Sequence, residues 1–117
     1  MGNRYLSLSG TAGAVPELTV SPLAERRGLR VAGEVGLATH AVWERALEHA
    51  VREDQDVYHL ELSSVTFVDV AGAGALAAAA QQLGDGRRIV LDRPPDTLQR
   101  VLEMFWPDLS AIEVSMS

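Results

Sequence analysis

The chain has 117 residues, enough for one domain with a core of its own and no need of disulfide or metal staples. It has no cysteine, which excludes disulfides, thiolate metal sites and cysteine catalysis, and agrees with a reducing cytoplasm. Ten positive residues, all arginine, against sixteen Asp and Glu leave a net charge of −6, which opposes nucleic-acid backbone binding and favours partners with basic surfaces.

Residues 1 to 14, rich in Gly, Ser and Ala, read as a mobile arm, within which Tyr5-Leu6-Ser7-Leu8 has the alternation of an added edge strand. They lack the basic start and long apolar stretch of a secretory signal. From Val15 to Ser117 the chain reads as one domain without a linker or repeat. Glu17 to Leu23 alternates as a strand, the Glu25–Gly28 segment turns, and Leu29 to Val35 makes a second strand, predicting a hairpin. Gly36 breaks that strand and Thr39 is placed to cap a helix. Trp43, Ala46, Leu47, Ala50 and Val51 then recur at helical spacing, leaving Glu44, Arg45, Glu48 and Arg52 toward water.

Val57 to Val68 contains the third strand, with Tyr58, Leu60 and Leu62 on one face and Val57, His59 and Glu61 on the other. A second helix is predicted from Ala71 to Leu83, stopped by Gly84; its alanine surface is slim enough for close approach to a sheet or another protein. The charge-free run Val70 to Gly84 is too short and too weakly apolar to span a bilayer. Arg88 to Leu91 follows as a short strand. Pro94 and Pro95 lead into a third helix with the stripe Leu98, Val101, Leu102, Phe105, ended by Pro107, and Ala111 to Ser115 supplies a last strand. The order ββαβαβαβ predicts an α/β domain: a mixed sheet of four to five strands with three to four helices packed on it.

The junction Asp69-Val70-Ala71-Gly72-Ala73-Gly74 joins an apolar strand to a helix of small residues. Such a junction offers free backbone N–H groups and the positive end of a helix dipole, so it can receive an anion or an acidic group. No hydroxyl, thiol or imidazole lies between Asp69 and Gly74. Asp69 suits a helix cap better than a catalyst, because a cap needs no partner and acid–base work needs several; Glu34 would approach it if the second and third strands end together. Gly72 and Gly74 match neither GxGxxG nor GK[ST], so a tight turn and close packing explain them better than a phosphate loop. His40, His49 and His59 form no metal-ligand spacing, and His59 and Glu61 on one strand face predict a structural hydrogen-bonded pair. Arg87, Arg88, Arg93 and Arg100 read as a solvated face, and Trp43 and Trp106 as core or rim.

Two stretches resemble the STAS domain, the family of anti-sigma factor antagonists. Leu60-Glu-Leu-Ser-Ser-Val-Thr-Phe-Val-Asp69 is similar to the family's LDLSxVxFxD strand, with Gly72 and Gly74 where the family has its S-S-G-L-G turn. Gly33-Glu-Val-Gly-Leu-Ala-Thr39 is similar to the family's G-E-L-D-x-x-T segment. The resemblance implies a cytoplasmic, non-enzymatic regulator without cofactor or metal, binding an anti-sigma factor or related kinase-fold protein through Asp69, Val70, Ala71, Gly72, Ala73 and Gly74, flanked by Gly36 and Thr39. It implies no nucleic-acid partner and no membrane insertion, and leaves a homodimer open. The family's regulatory serine falls on Ala71, the serine before it on Val70, and the aspartate of G-E-L-D on Gly36, so the usual phosphoacceptor is missing. A scaffold or accessory subunit of a transporter or larger signalling complex is the alternative.

Overall fold

The computed structural model describes residues 16–53 and 55–116. The N-terminal arm and its Tyr5–Leu8 alternation lie outside the described residues.

Strand β1 (Leu18–Pro22) turns back through residues 23–27 into β2 (Gly28–Val35), and the two pair antiparallel as the alternation predicts. Gly28 and Gly33, at φ 154° and 122°, lie in the region that favours glycine. Each abuts backbone: a β-carbon at Gly28 would lie 2.0 Å from the His59 carbonyl oxygen, and one at Gly33 2.1 Å from that of Glu17. A short 3-10 turn (Leu37–Thr39) leads to α1 (His40–Arg52), then β3 (Val57–Val68), α2 (Val70–Gln81), β4 (Arg88–Asp92), α3 (Asp96–Phe105) and β5 (Ile112–Ser115). The sheet order is β1-β2-β3-β4-β5, parallel from β2 onward. Three right-handed crossovers stepping in one direction put all three helices on the same face, where α1 packs on α2 and α2 on α3.

The core fills the space between that face and the helices: Val31, Tyr58, Leu60, Leu62, Ile89 and Leu91 from the sheet meet Trp43, Leu47, Leu76 and Leu98. The helix α2 lies between the other two, and its small side chains let both flanks close on it: Ala73, Ala77, Ala79 and Ala80 are all buried. Phe105 departs from the predicted stripe. It occupies the last turn of α3, 56% exposed, because the helix ends there and the chain turns away, while half-buried Trp106 takes the packing position beside α2.

The helix α1 ends without a glycine cap. Arg87 takes over: its guanidinium donates to the carbonyls of Ala50, Val51 and Glu53, and its Nε to that of Gln55 at 3.0 Å. This satisfies the carbonyls a helix end leaves orphaned and ties the α1–β3 connection to the start of β4. Arg88 pairs with Glu113 at 2.7 Å and Arg93 with Glu61 at 3.4 Å. Arg88, Arg93 and Arg100 are exposed as a solvated face predicts, while half-buried Arg87 is taken up inside the fold.

On the sheet face away from the helices, the predicted His59–Glu61 pair is replaced by a cross-strand pair at His59 and a contact within β3 at Glu61. Side chains two apart on one strand lie farther apart than neighbours on adjacent strands, and His59 Nδ1 sits 2.9 Å from Asp92, which also accepts from Arg26 at 2.8 Å. Glu61 accepts from the Ser63 amide and hydroxyl at 2.9 and 2.5 Å. Glu61 stands at a bulge. Between Arg30 and Ala32 of β2, β3 advances from Glu61 to Ser64, one residue more, and a second extra residue falls between Val65 and Phe67 opposite Gly33 and Glu34. The Glu61 carboxylate thereby pairs a backbone N–H that the bulge takes out of the ladder.

Deep burial presses the Tyr58 hydroxyl, with help from the charge of Glu53, up to about 12, and His49 Nδ1 lies 2.7 Å from that hydroxyl. Burial pushes Glu61 up, but the hydrogen bonds from Ser63 and the charge and hydrogen bond of Arg93 outweigh it, and its carboxyl sits below the ordinary 4.5. The folded state therefore favours the carboxylate. Its contribution is present above the ordinary glutamate value and is lost as pH falls through the folded value. Denaturant melts from pH 7 down to 3 are expected to show Glu61→Gln losing less stability on acidification than the wild type. Arg87→Met is expected to lower unfolding free energy by about 2 kcal/mol, since the charged donor leaves several carbonyls unpaired; urea titration at neutral pH measures it.

Candidate functional site

The eight residues singled out in the sequence come together where β2 and β3 end. The Asp69 amide donates to the Val35 carbonyl at 3.0 Å, joining the strand before Gly36 to the residue before α2. Asp69 has extended backbone and its Oδ1 accepts from the Gly72 amide at 2.7 Å, the geometry of an N-cap. The Ala73 amide bonds the Asp69 carbonyl at 3.0 Å. That leaves the amides of Val70 and Ala71 as the helix-start donors without an intramolecular acceptor among the described residues.

Thr39 occupies the predicted cap position by its backbone, but its side chain does not cap α1. The hydroxyl is buried and turned toward the end of β2, where it donates to the Glu34 carbonyl at 2.6 Å and accepts from the Gly36 amide at 3.0 Å. It holds the Gly36 turn closed. Glu34 is exposed and lies in register with Phe67, one residue short of the paired strand ends.

Gly72 and Gly74 lie inside α2, not in a turn, and neither has positive φ. The packing half of the sequence argument holds at Gly72: a β-carbon there would sit 2.7 Å from Val35 Cγ1 and 3.0 Å from Val68 Cγ1. Its carbonyl accepts the indole N–H of fully buried Trp43 at 2.9 Å. At Gly74 the nearest atom would be Trp106 at 3.6 Å, an ordinary contact.

Exposure divides the set. Gly72, Ala73 and Thr39 are buried and shape the junction from behind; Gly36, Asp69 and Gly74 are half-buried; Val70 and Ala71 face outward, with Val70 58% exposed. Two residues that the sequence reading did not select extend the surface. Leu37, 94% exposed, is in the turn after β2, and Phe67, 47% exposed, is near the end of β3. Phe67 faces out because the second bulge leaves Thr66 and Phe67 both exposed before Val68 returns to the core. The signal for Leu37 was an apolar residue in a turn with no periodic partner. The surface therefore combines apolar Leu37, Phe67, Val70 and Ala71 with exposed Glu34 and two N–H groups that lack an acceptor among the described residues, and has no nucleophile at its centre. Among the described residues no group of three His, Asp or Glu is placed to hold a metal ion, and no helix is long and apolar enough to cross a membrane.

With this fold and junction in view, comparison identifies the class. The family profile described as "Mlab, STAS domain" matches residues 18–106, and the chain belongs to the STAS family. Two solved structures share the fold. An anti-sigma factor antagonist from Mycobacterium paratuberculosis superposes with a TM-score of 0.71 at 19% identity, over 86% of this chain and 87% of that one. The anti-sigma factor antagonist SpoIIAA in its unphosphorylated form gives 0.58 at 14% identity, over 86% and 90%. A search of curated protein sequences finds no match.

Asp69→Ala is expected to cost about 1 kcal/mol and Asp69→Asn much less, since asparagine also caps. Gly72→Ala forces its new methyl against Val35 and Val68 and is expected to cost about 1–3 kcal/mol despite alanine's better helix propensity. Equilibrium denaturation of the three variants ranks them.

Proposed function

We propose that this STAS domain is a non-enzymatic regulatory module that docks an anti-sigma factor or related kinase-fold protein at the start of α2, and that the contact is not switched by phosphorylation at the position its family uses. The observation that carries the reading is the outward-facing pair Val70 and Ala71, with its unengaged amides, set between exposed Leu37 and Phe67 at the strand end of a STAS fold. Apolar side chains give a partner area to bury, and the helix-start amides give it donors for one acidic or carbonyl group. In a family member with serine at this place, phosphorylation adds about −1.5 to −2 charges inside such a contact. Ala71 has no hydroxyl to accept it, so the surface gains no charge at that position. Asp69, Gly72, Ala73, Gly74, Gly36 and Thr39 hold the geometry, with Asp69 presenting the nearest carboxylate.

A second reading, a constitutive scaffold or accessory subunit of a transporter or larger signalling complex, is favoured by the same alanine and by a profile description that names Mlab rather than an antagonist. The two differ in what copurifies from the native cell: a kinase-fold protein for the first, membrane-complex subunits for the second.

Ala71→Ser and Ala71→Glu test the docking surface. Both are expected to fold, because a hydroxyl and a negative charge are each tolerated or favoured in a first helical turn. With the copurified partner, Ala71→Glu is expected to weaken binding about tenfold or more, roughly 1.4 kcal/mol, by calorimetry. With ATP and a partner kinase the wild type should stay unlabelled and Ala71→Ser become labelled. Equal affinity of wild type and Ala71→Glu would place the partner elsewhere, and stoichiometric phosphate on Ser63, Ser64 or Thr66 would move the switch to β3.

A further inference from the structure

The two borders of the sheet differ. Strand β1 carries Pro22 together with polar Thr19 and Ser21, a common way of guarding an edge. Strand β5, Ile112-Glu-Val-Ser115, has neither proline nor bulge, and its ladder with β4 runs without a register shift. The Ile89 amide bonds the Ala111 carbonyl at 2.8 Å and the Arg93 amide the Ser115 carbonyl at 2.7 Å. In a parallel ladder alternate residues face one neighbour, so residues 111, 113 and 115 turn their peptide groups to β4, and Ile112 and Val114 turn theirs outward. The Ile112 amide is taken by the Leu109 carbonyl at 3.3 Å. The Ile112 carbonyl and both peptide groups of Val114 have no backbone partner along this edge among the described residues.

Beside these groups runs a mostly apolar groove of 140 Å³ between β5 and α3, lined by Leu102, Trp106, Pro107, Leu109, Ile112 and Val114 with Gln99 and Glu103. Val114 is 41% and Met116 59% exposed, and Met116 Sδ lies 3.9 Å from Gln99 Nε2 of α3. The only charged residue of β5, Glu113, is held by Arg88 at 2.7 Å, so the edge has no unbalanced charge for a partner to neutralise. A second, identical edge meets that description: its strand carries no unbalanced charge, its side chains toward the groove are mostly apolar, and it is short of the same peptide bonds.

We propose that two copies of this chain associate through β5, paired antiparallel about a two-fold axis to join their sheets, with the Val114 side chains of the two copies against each other over the grooves. Of the two registers that satisfy the outward peptide groups, one centred on Glu113 sets like charges opposite and is disfavoured. The one centred on Val114 sets valine against valine. The end of β3 lies two strands in from this edge, so the paired molecule presents two docking junctions. The inference is independent of what docks there.

Sedimentation velocity of the full chain over a concentration series tests it, alongside amide hydrogen exchange. The wild type should convert from monomer to dimer with rising concentration, and the Val114 amide should become protected as it does. Val114→Pro removes an outward N–H without a partner among the described residues, and Val114→Glu sets two carboxylates face to face; each should weaken self-association about tenfold or more. Val114→Glu carries the test if the proline variant fails to fold. A wild type still monomeric at about 1 mM, or a dimer that both folded variants leave intact, overturns the proposal. The first result would leave the groove to another extended segment.

Discussion

Gly72 is fixed from three directions, and the position of α2 follows from it. Its amide is held by the Asp69 carboxylate, its carbonyl by the indole of Trp43, and the place of its missing side chain by Val35 and Val68. The first bond sets where the helix begins, the second locks the helix to α1 across the core, and the close approach lets the first turn rest on the ends of the two longest strands. A buried indole N–H without an acceptor is costly, so the Trp43 bond is one the fold loses only with penalty. With that turn fixed, Val70 and Ala71 have no direction left but outward.

Much of this architecture was legible in the chain. The hairpin followed from two alternating runs around Glu25–Gly28, α1 from the recurrence of Trp43, Ala46, Leu47 and Ala50, and α2 from its alanine run and the Gly84 stop. The parts that were not legible depend on contacts across the sequence. Nothing local says that Arg87 serves a helix ending thirty-five residues earlier, or that His59 meets Asp92 instead of Glu61. Periodicity treats Phe105 as part of a stripe because it knows spacing and not where the neighbouring helix ends.

The docking junction divides in the same way. Asp69 as a cap was readable from residue type and position, since capping is a local interaction. Thr39 had the same credentials, but its hydroxyl found the Glu34 carbonyl and the Gly36 amide instead of the next helix turn. Phe67, the larger exposed apolar group at this end, was unreadable because bulge positions carry no mark in hydropathy alternation, whereas Leu37 was marked only as an apolar residue in a turn. The importance of Ala71 rests on family resemblance; alanine by itself reports only that a side chain is small.

The two irregularities in β3 bear on how such a chain can vary in length. Each extra residue shifts the alternation that follows by one place, and the pair together restores the original phase. Leu62, Val65 and Val68 therefore all reach the interior although their spacing suits neither a plain strand nor a helix. Loss of the extra residue at either irregularity would restore plain alternation there and still leave Val68 inside and paired with Val35. Loss of two, one at each irregularity, would leave a shorter ribbon with its sides in order. Descendants of this sequence are thus free to shed one residue at each irregularity, and constrained against losses elsewhere in the strand.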